Sequence, residues 1–418
     1  MVCTKIILKK VKKMTLTKAI DFFKKYKVHI CMPLICIMQF LACFYHDLWI
    51  VSSIICLALL WLSTFGEMIG YTLFFQMFSA VGYFSEVSIF ASVALILVRY
   101  IIGLIKKTEK FYVFPFLLTT AICIFYSSFY YETDAAGLYQ GFALIAALYF
   151  IYLAFVYRKT INFQMWFEYL MWGILASAII SVASFLFESQ LTTTLGESLS
   201  RIKLLTQNAN SLAIYCSLAL SYFVYAILNK NGNIIKNSVL LILSVLFGLS
   251  TMSKTFLVVC IGIIIYLFVV IVKKYKIRSI KILIPVSIVF VIIGFIFKDR
   301  ISIIFDRFSI VYYSYTDHWL NNLTTGRYNI WMKYKAEIIS TIPKLLFGVG
   351  FFNKRLVKIG PHSLPIHLVY RMGLIGVVLL LFLFYSYYKS LNKTVKSNSK
   401  SFLPIFVLIF IGMIESFL

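Results

Sequence analysis

Long apolar runs recur from about residue 28 to the end of the chain, and they constrain the fold more than any other feature of the sequence. Each run is about 18–22 residues long, enough for an α-helix to cross the ~30 Å hydrocarbon core of a bilayer. Of the 418 residues, 61% are hydrophobic and only 13% are charged, a balance that water-soluble proteins do not tolerate. The sequence therefore predicts an all-α polytopic integral membrane protein, because helices satisfy their own backbone hydrogen bonds within lipid.

The predicted spans number about 12 or 13, and together they form a single transmembrane domain over residues 1–418. The third span is the least regular, because its glycines and its polar residues Gln76 and Ser79 would also suit an interfacial helix. Charge supports it: with this span present, Lys106, Lys107 and Lys110 fall on the same side as the basic amino terminus. The predicted spans are 28–46, 48–66, 68–85, 87–105, 111–129, 138–157, 165–187, 209–228, 237–253, 255–272, 281–297, 364–387 and 402–418.

The cationic residues indicate how the chain is oriented. Most of the 40 lysines and arginines fall in residues 1–27 and in the short loops on the same side. The positive-inside rule makes this side cytoplasmic, so we expect a multi-pass membrane protein with its amino terminus inside. The amino-terminal stretch shows no cleavage site and is interpreted as a retained anchor that contacts anionic lipid. The formal charge of +25 therefore indicates orientation in a bilayer, not binding of nucleic acid.

The sequence offers no pattern for a metal or a nucleotide. The eight cysteines lie mostly inside apolar runs and include no C-x-x-C pair, which is typical of buried small hydrophobic residues. No H-E-x-x-H, Walker loop or dinucleotide-binding glycine pattern is present. We therefore predict no metal site and no cofactor.

One external loop, residues 298–363, is unusual in its length and charge. It holds ten cationic residues and four acidic ones, on the side that the orientation rule usually keeps poor in cations. Long loops escape that rule, which is one explanation. We favour an anionic substrate, because a basic and partly desolvated cleft concentrates ligands that carry phosphate.

The middle of this loop is patterned as a helix. The pattern predicts an amphipathic helix on the membrane surface, with Trp331 at headgroup depth and Gly326 permitting close approach of another backbone. Arg327 falls in its first turn, where the helix dipole favours anions. A phosphate bound by Arg327 and by free backbone N–H groups would account for a cation there, and an arginine that only reaches toward water is the alternative. The apolar residues at helical spacing are Ile330, Trp331, Tyr334, Ile338 and Ile342.

Two further positions are candidates for chemistry. Pro343, with Gly348 and Gly350, is expected to end the helix and to build a turn ahead of His362. At an external lipid–water boundary His362 is a candidate proton acceptor, whereas a lone interfacial histidine is usually structural. Lys254 lies in a polar turn between two spans that opens outward, where it either reaches toward water or contacts phosphate.

Taken in chain order, these residues resemble the O-antigen ligase and Wzy-type repeat-unit polymerase superfamily of bacterial surface polysaccharide assembly. The resemblance covers about residues 195–380. The sequence departs from it at Lys254, where the family often has arginine, and at Ser363, where it often has asparagine. The residues that carry the resemblance are Arg201, Asn208 and Asn210 at the start of a span, Ser253-Lys254, Gly326-Arg327, Trp331, Gly348-Val349-Gly350, His362 and Gly373-Leu-Ile-Gly376.

The resemblance implies a GT-C-like glycosyltransferase of the bacterial cytoplasmic (inner) membrane, with a long helical external loop that carries the active site. Its donor would be a polyprenyl-diphosphate-linked oligosaccharide, which is already activated, so no cofactor is implied. His362 would be the general base and Arg327 a second catalytic residue that stabilises the developing charge. Arg201, Lys254 and Arg327 would hold the diphosphate. The supporting residues would be Asn208, Asn210, Gly326, Trp331, Gly348 and Gly350.

Three functions remain open at this point. We favour a polymerase that joins lipid-linked repeat units into O-antigen or capsule, beside a flippase and a chain-length regulator of the same pathway. A ligase that transfers the finished glycan to an acceptor is the alternative within the same superfamily. A transporter or flippase for lipid-linked sugars is the alternative from a different class, and the lack of a carboxylate network within the spans argues against it.

Overall fold

The computed structural model describes residues 16–129, 132–157, 160, 162–187, 202–206, 208–275, 295, 298, 302, 327–354, 356–357 and 363–394. The regular structure of these residues is helical, as the sequence predicts. The predicted span 402–418 lies outside the described residues, and so does nearly all of the predicted span 281–297. The first half of the basic amino-terminal stretch also lies outside them. So do three predicted site residues, Arg201, Gly326 and His362.

The structure describes thirteen helices, and two 3-10 turns lie between them. A 3-10 turn, His46–Leu48, precedes the second helix, and another, Gln76–Phe78, follows the third. The helices are α1 Leu16–Ala42, α2 Trp49–Trp61, α3 Phe65–Phe75, α4 Phe84–Ile105, α5 Val113–Ser128, α6 Ala135–Val156, α7 Phe163–Leu186, α8 Ala209–Leu228, α9 Ile234–Ser250, α10 Lys254–Tyr275, α11 Arg327–Ile338, α12 Ile342–Phe347 and α13 Leu364–Thr394.

Five of these helices are long and apolar enough to cross a bilayer: α4, α6, α7, α8 and the Leu364–Ser386 part of α13. Five shorter apolar stretches, of 10–17 residues, accompany them in the described part of the chain: Tyr26–Ala42, His46–Trp61, Val113–Ser128, Ile234–Ser250 and Lys254–Val270. Many large apolar side chains on these helices point outward, for example Ile179, which is 69% exposed. Lipid is the solvent that tolerates such a surface, so the helices indicate a multi-pass membrane protein.

The predicted third span, 68–85, is wrong as one continuous helix. α3 ends at Phe75, a 3-10 turn follows, and α4 begins only at Phe84. Gly82 has a φ of +59°, and a Cβ there would lie 2.5 Å from the indole of Trp49. The chain therefore bends where a glycine alone fits, and the glycine and polar residues of this stretch belong to a turn.

One end of the bundle, here called the basic end, is held by Lys27, Ser63, Glu67 and Arg99. The amino group of Lys27 in α1 lies 2.9 Å from the carboxylate of Glu67 and donates to the carbonyl of Leu62. Arg99, near the end of α4, donates to the carbonyl of Ser63. α1, the α2–α3 connection and the end of α4 therefore meet here.

The opposite end is defined by the contacts of Ala80, Leu205, Ile202 and Ser250. The N–H of Ala80 donates to the carbonyl of Leu205 at 2.8 Å, and the N–H of Ile202 donates to the carbonyl of Ser250 at 3.1 Å. The connections after α3, α7 and α9 thus converge. The broken α3 segment joins the two ends, because Gly66 at its start packs against the carbonyl of Thr160, in the α6–α7 connection.

Apart from a small third cluster that joins α11 to α13, the described helices form two packed groups around separate apolar cores. The larger core is built from α1–α4 and α7–α10, and the smaller one from α5, α6 and α13. α4 and α6 connect the groups: the hydroxyls of Tyr100 and Tyr152 lie 2.7 Å apart near the basic end, and the rings of Phe90 and Tyr139 lie 6.1 Å apart near the opposite end. The start of α6, and the α5–α6 connection before it, therefore lie at the opposite end.

Candidate functional site

The helix α13 is broken near its start, and the break receives the loop that follows α12. Gly373 has φ +61° and ψ −174°, which interrupts the helix. The carbonyls of Tyr370 and Arg371 accept hydrogen bonds from the N–H groups of Val349 and Gly350, both at 2.9 Å. Backbone groups freed by a broken helix need partners at membrane depth, and residues 348–353, here called the 348–353 loop, provide them.

Glycine is required on both sides of this contact. A Cβ at Gly348 would lie 2.6 Å from the carbonyl of Arg371, and a Cβ at Gly373 would lie 2.3 Å from the carbonyl of Leu346. Both glycines also have positive φ, a conformation that other residues rarely adopt. The two glycine segments of the sequence resemblance, Gly348–Gly350 and Gly373–Gly376, thus pack directly on each other.

The other side of the 348–353 loop contacts the end of α5 and the connection that follows it. The N–H of Phe351 donates to the carbonyl of Tyr126 at 2.9 Å, and the two rings stack with centroids 5.5 Å apart. The side-chain oxygen of Asn353 accepts from the N–H of Glu132 at 3.1 Å, and its amide donates to the carbonyl of Val349. The loop is therefore fixed between α5, α6 and α13 at the opposite end.

Arg371 lies inside this contact and is only 1% exposed. Its guanidinium donates to the carbonyls of Gly350 and Asn353 and to the side-chain oxygen of Gln140 in α6, the last at 2.7 Å. The sequence reasoning did not assign Arg371, Gln140 or Asn353 to the site. A lone arginine within an apolar run was the available signal for Arg371, whereas nothing in the sequence distinguishes Gln140 from other polar residues within spans.

The structure confirms a helix from Arg327, here α11, but the predicted end at Ile342 is wrong, because α11 ends at Ile338. Tyr334 and Ile338 are buried, and the rings of Tyr334 and Tyr370 meet edge to face at 4.9 Å. This face therefore packs on α13. Ile342 belongs to α12 and is 73% exposed.

A second helix starts where one long helix was predicted. The side chain of Thr341 caps α12 by accepting from the N–H of Lys344, and Pro343 lies in its first turn. Proline favours that position because its missing N–H has no helical partner there. Pro343 thus helps to begin α12, whereas the sequence interpretation had it end the preceding helix; Gly348 ends α12 and begins the turn, as predicted.

Arg327 and Trp331 lie on α11, near its amino-terminal end. Arg327 is the first residue of the helix and both side chains are partly buried. Two lysines of the solvent face, Lys333 and Lys335, are exposed, and the amino group of Lys344 lies 2.6 Å from Glu337. An open cleft of about 580 Å³ runs beside this face, between Lys333, Glu337 and Val357.

The remaining described candidates form a second group at the opposite end. Asn208 caps α8 by accepting from the N–H of Ser211 at 2.8 Å, and Asn210 follows in the first turn. Lys254 is the first residue of α10, is partly buried, and follows the Ser250 turn that contacts Ile202.

An ion pair lies beside the 348–353 loop. Lys354 binds Glu132 at the start of the connection to α6, and this hydrogen bond and the carboxylate charge raise the pKa of Lys354. Lys354 is therefore charged at neutral pH, and its contribution to the pair would be lost as the pH rises through its raised pKa. Among the described residues, no three histidine, cysteine or acidic side chains cluster as metal ligands do.

Comparison with protein-family models, with curated proteins and with solved structures gave no match to this chain.

Proposed function

We propose that this protein polymerises polyprenyl-diphosphate-linked oligosaccharide repeat units into a surface polysaccharide, such as O-antigen or capsule, at the outer face of the bacterial cytoplasmic membrane. The opposite end of the bundle would face outward, because lysines and arginines are concentrated at the basic end. The protein would act as a GT-C-like glycosyltransferase beside a flippase and a chain-length regulator.

One observation carries this proposal: the two glycine segments of the resemblance pack on each other at one end of the bundle. The two segments are distant in the sequence but in direct contact in the structure. Their contact brings the start of α13 next to α12, and His362 precedes that start in the chain. α11 packs on the same stretch of α13. A site built from Arg327 and His362 needs α11 close to the start of α13, and the contact between Tyr334 and Tyr370 supports this.

The cationic groups suit a diphosphate leaving group. Arg327 stands at the amino-terminal end of α11, where backbone N–H groups also favour anions. Lys254 stands at the same position of α10, and Arg201 precedes the loop that contacts the Ser250 turn. Such groups stabilise the charge that develops when the bond to a phosphate oxygen breaks. Lys254 and Arg201 would serve the same donor as Arg327 if the donor contacts both sets of residues.

The chemistry needs one proton acceptor. A sugar hydroxyl of the acceptor would attack the anomeric carbon of the donor, and His362 would take the proton from that hydroxyl. The bond from the anomeric carbon to the phosphate oxygen would break, and the polyprenyl diphosphate would leave with its electron pair, with inversion at the anomeric carbon. The diphosphate charge would be held by Arg327, Arg201 and Lys254.

The test is a gel of surface glycans and of carrier-linked glycans from a host that lacks the gene, complemented with wild type, His362→Ala or Arg327→Ala. The matched control is His46→Ala, because His46 is an exposed histidine in another loop at the opposite end. We expect the deletion and both site variants to leave acceptors that carry a single repeat unit, and His46→Ala to restore the ladder. Removing a general base lowers the rate by about 10²–10⁴-fold, so short chains are the expected product.

Other outcomes distinguish the alternatives. Long chains that stay on the carrier lipid would indicate a ligase. Repeat units that never reach the outer face would indicate a transporter. A wild-type ladder with the His362→Ala, Arg327→Ala double variant would contradict the proposed site.

A further inference from the structure

We propose that Arg371 is a positioning residue: from inside the bundle it holds the 348–353 loop against α6, and through that loop it sets the position of the segment that carries the transfer site. The part that concerns the transfer site rests on the proposed function. The part that concerns the loop does not.

The first step is the burial of the guanidinium. Arg371 is 1% exposed within a helix that the apolar sequence places in a membrane, and its described acceptors are neutral carbonyl oxygens. Removing a charge from water is costly, so buried arginines occur where their geometry is used. An apolar side chain would fill this position more easily but would bond none of these oxygens.

The second step is what the acceptors have in common. Gly350 and Asn353 belong to the loop, whereas Gln140 belongs to α6. The guanidinium is a rigid planar fork with five N–H donors, so it fixes the loop and α6 relative to each other. A lysine at this position would keep the charge but would not span the same acceptors.

The third step is how the loop reaches the site. The loop is continuous with α12, and its N–H groups bond the carbonyls of Tyr370 and Arg371 at the break in α13. α6 approaches it so closely that a Cβ at Gly137 would lie 2.7 Å from the carbonyl of Asn353. If the loop moved away from α6, α12 and the outer start of α13 would lose their common support.

The first experiment measures the loop directly. A Cβ built at Gly141 in α6 would lie 3.0 Å from Cγ of Phe352, so Gly141→Cys with Phe352→Cys brings two Cβ atoms near the ~3.8 Å of a disulfide, and the lost ring makes room. In purified full-length protein under mild oxidant, we expect rapid crosslinking with Arg371 present. With Arg371→Gln or Arg371→Lys, we expect crosslinking to slow by about tenfold, as the seated loop becomes a minor state.

Two controls keep this result interpretable. Arg99→Gln removes a partly buried arginine at the basic end that also donates to a carbonyl, and it should leave the crosslinking rate unchanged. Gln140→Leu removes only the α6 acceptor and should slow crosslinking without the loss of charge. Unchanged crosslinking in both Arg371→Gln and Gln140→Leu would overturn the proposal.

The second experiment links the loop to the reaction by rescue. Arg371→Gln and Arg371→Lys should both shorten the surface glycan, and the Gly141→Cys, Phe352→Cys disulfide should restore its length in either background, with reductant reversing the rescue. If Arg371→Lys alone keeps full length, the charge matters and positioning is wrong. If the gene deletion leaves glycans unaltered, the proposed function fails, and the crosslinking rates still decide the role of Arg371.

Discussion

At Gly373 the backbone adopts a conformation that closes the 348–353 loop onto α13, and no other residue type fits there. The φ of +61° and the carbonyl of Leu346, 2.3 Å from where a Cβ would stand, act together. Any other residue at position 373 would therefore have both a strained backbone and a steric overlap. Neither α13 nor the loop can shift to relieve the overlap without breaking the hydrogen bonds between them.

We expect Gly373→Ala to destabilise the protein by at least about 2 kcal/mol, from the backbone strain alone. Gly262→Ala is the matched control, because Gly262 lies in α10 with nothing within 4 Å of its Cβ direction, and alanine there should stabilise by about 0.5–1 kcal/mol. Thermal unfolding in detergent, followed by size-exclusion chromatography, measures both. Equal melting temperatures for the two variants would contradict the account of the break.

The residues of this contact were only partly predictable. Gly348 and Gly350 were expected to form a turn, and they do, because glycines after an apolar helix signal its end. That Gly373 receives the turn was not predicted, since periodicity describes faces of elements and not which distant segments touch. Arg371 shows the same limit: its position within a span was visible, but its acceptors come from α6 and from a loop.

Among the elements, α11 tests how well an apolar face predicts packing. Its Tyr334 and Ile338 are buried against α13, and its lysines are exposed. We expect Tyr334→Ala to release α11, at a cost of about 3 kcal/mol for the lost aromatic side chain. Lys335→Ala should have little effect. Limited proteolysis of the purified protein measures the release; equal cleavage rates for the two variants would indicate that α11 does not depend on this face.

The elements also show where sequence boundaries fail. Thr341 is a helix cap, and Pro343 follows it in the first turn, so this sequence signals the start of a helix. The prediction missed the signal because it followed the apolar spacing from Arg327 through to Ile342. The α3 segment fails for a similar reason: its apolar residues predict one span, but Gly82 provides a turn against Trp49. The predictions that held are those that depend on apolar runs long enough to cross a bilayer, such as α6, α7 and α8.

For the whole molecule, consecutive helices run between the basic end and the opposite end, and this predicts on which side of the membrane each connection lies. With the broken α3 segment joining the two ends, Tyr83 and Lys107 should lie on opposite sides of the membrane. Both are exposed. We expect Tyr83→Cys to react with an impermeant thiol reagent added outside intact spheroplasts, and Lys107→Cys to react only after permeabilisation. Reaction of Lys107→Cys from outside, with Tyr83→Cys protected until permeabilisation, would show that the α3 segment does not cross, because α4 lies between the two positions.

The division of the molecule into two packed groups was not predicted, because a chain of spans gives no order of neighbours. The candidate residues follow that division: Asn208, Asn210 and Lys254 belong to one group of helices, and Arg327, Gly348 and Gly350 to the other. A donor that binds Arg327 and Lys254 together would have to lie between the groups at the opposite end.

The measurement that tests the central claim most directly uses the purified protein alone, in lipid vesicles, with polyprenyl-diphosphate-linked repeat units extracted from the deletion host. We expect wild type to form a ladder of multiples of the repeat unit and to release polyprenyl diphosphate in proportion. His362→Ala should form no ladder, and His46→Ala should match wild type. An unchanged donor with folded wild-type protein, or a full ladder from His362→Ala, would contradict the assignment of a histidine-dependent polymerase.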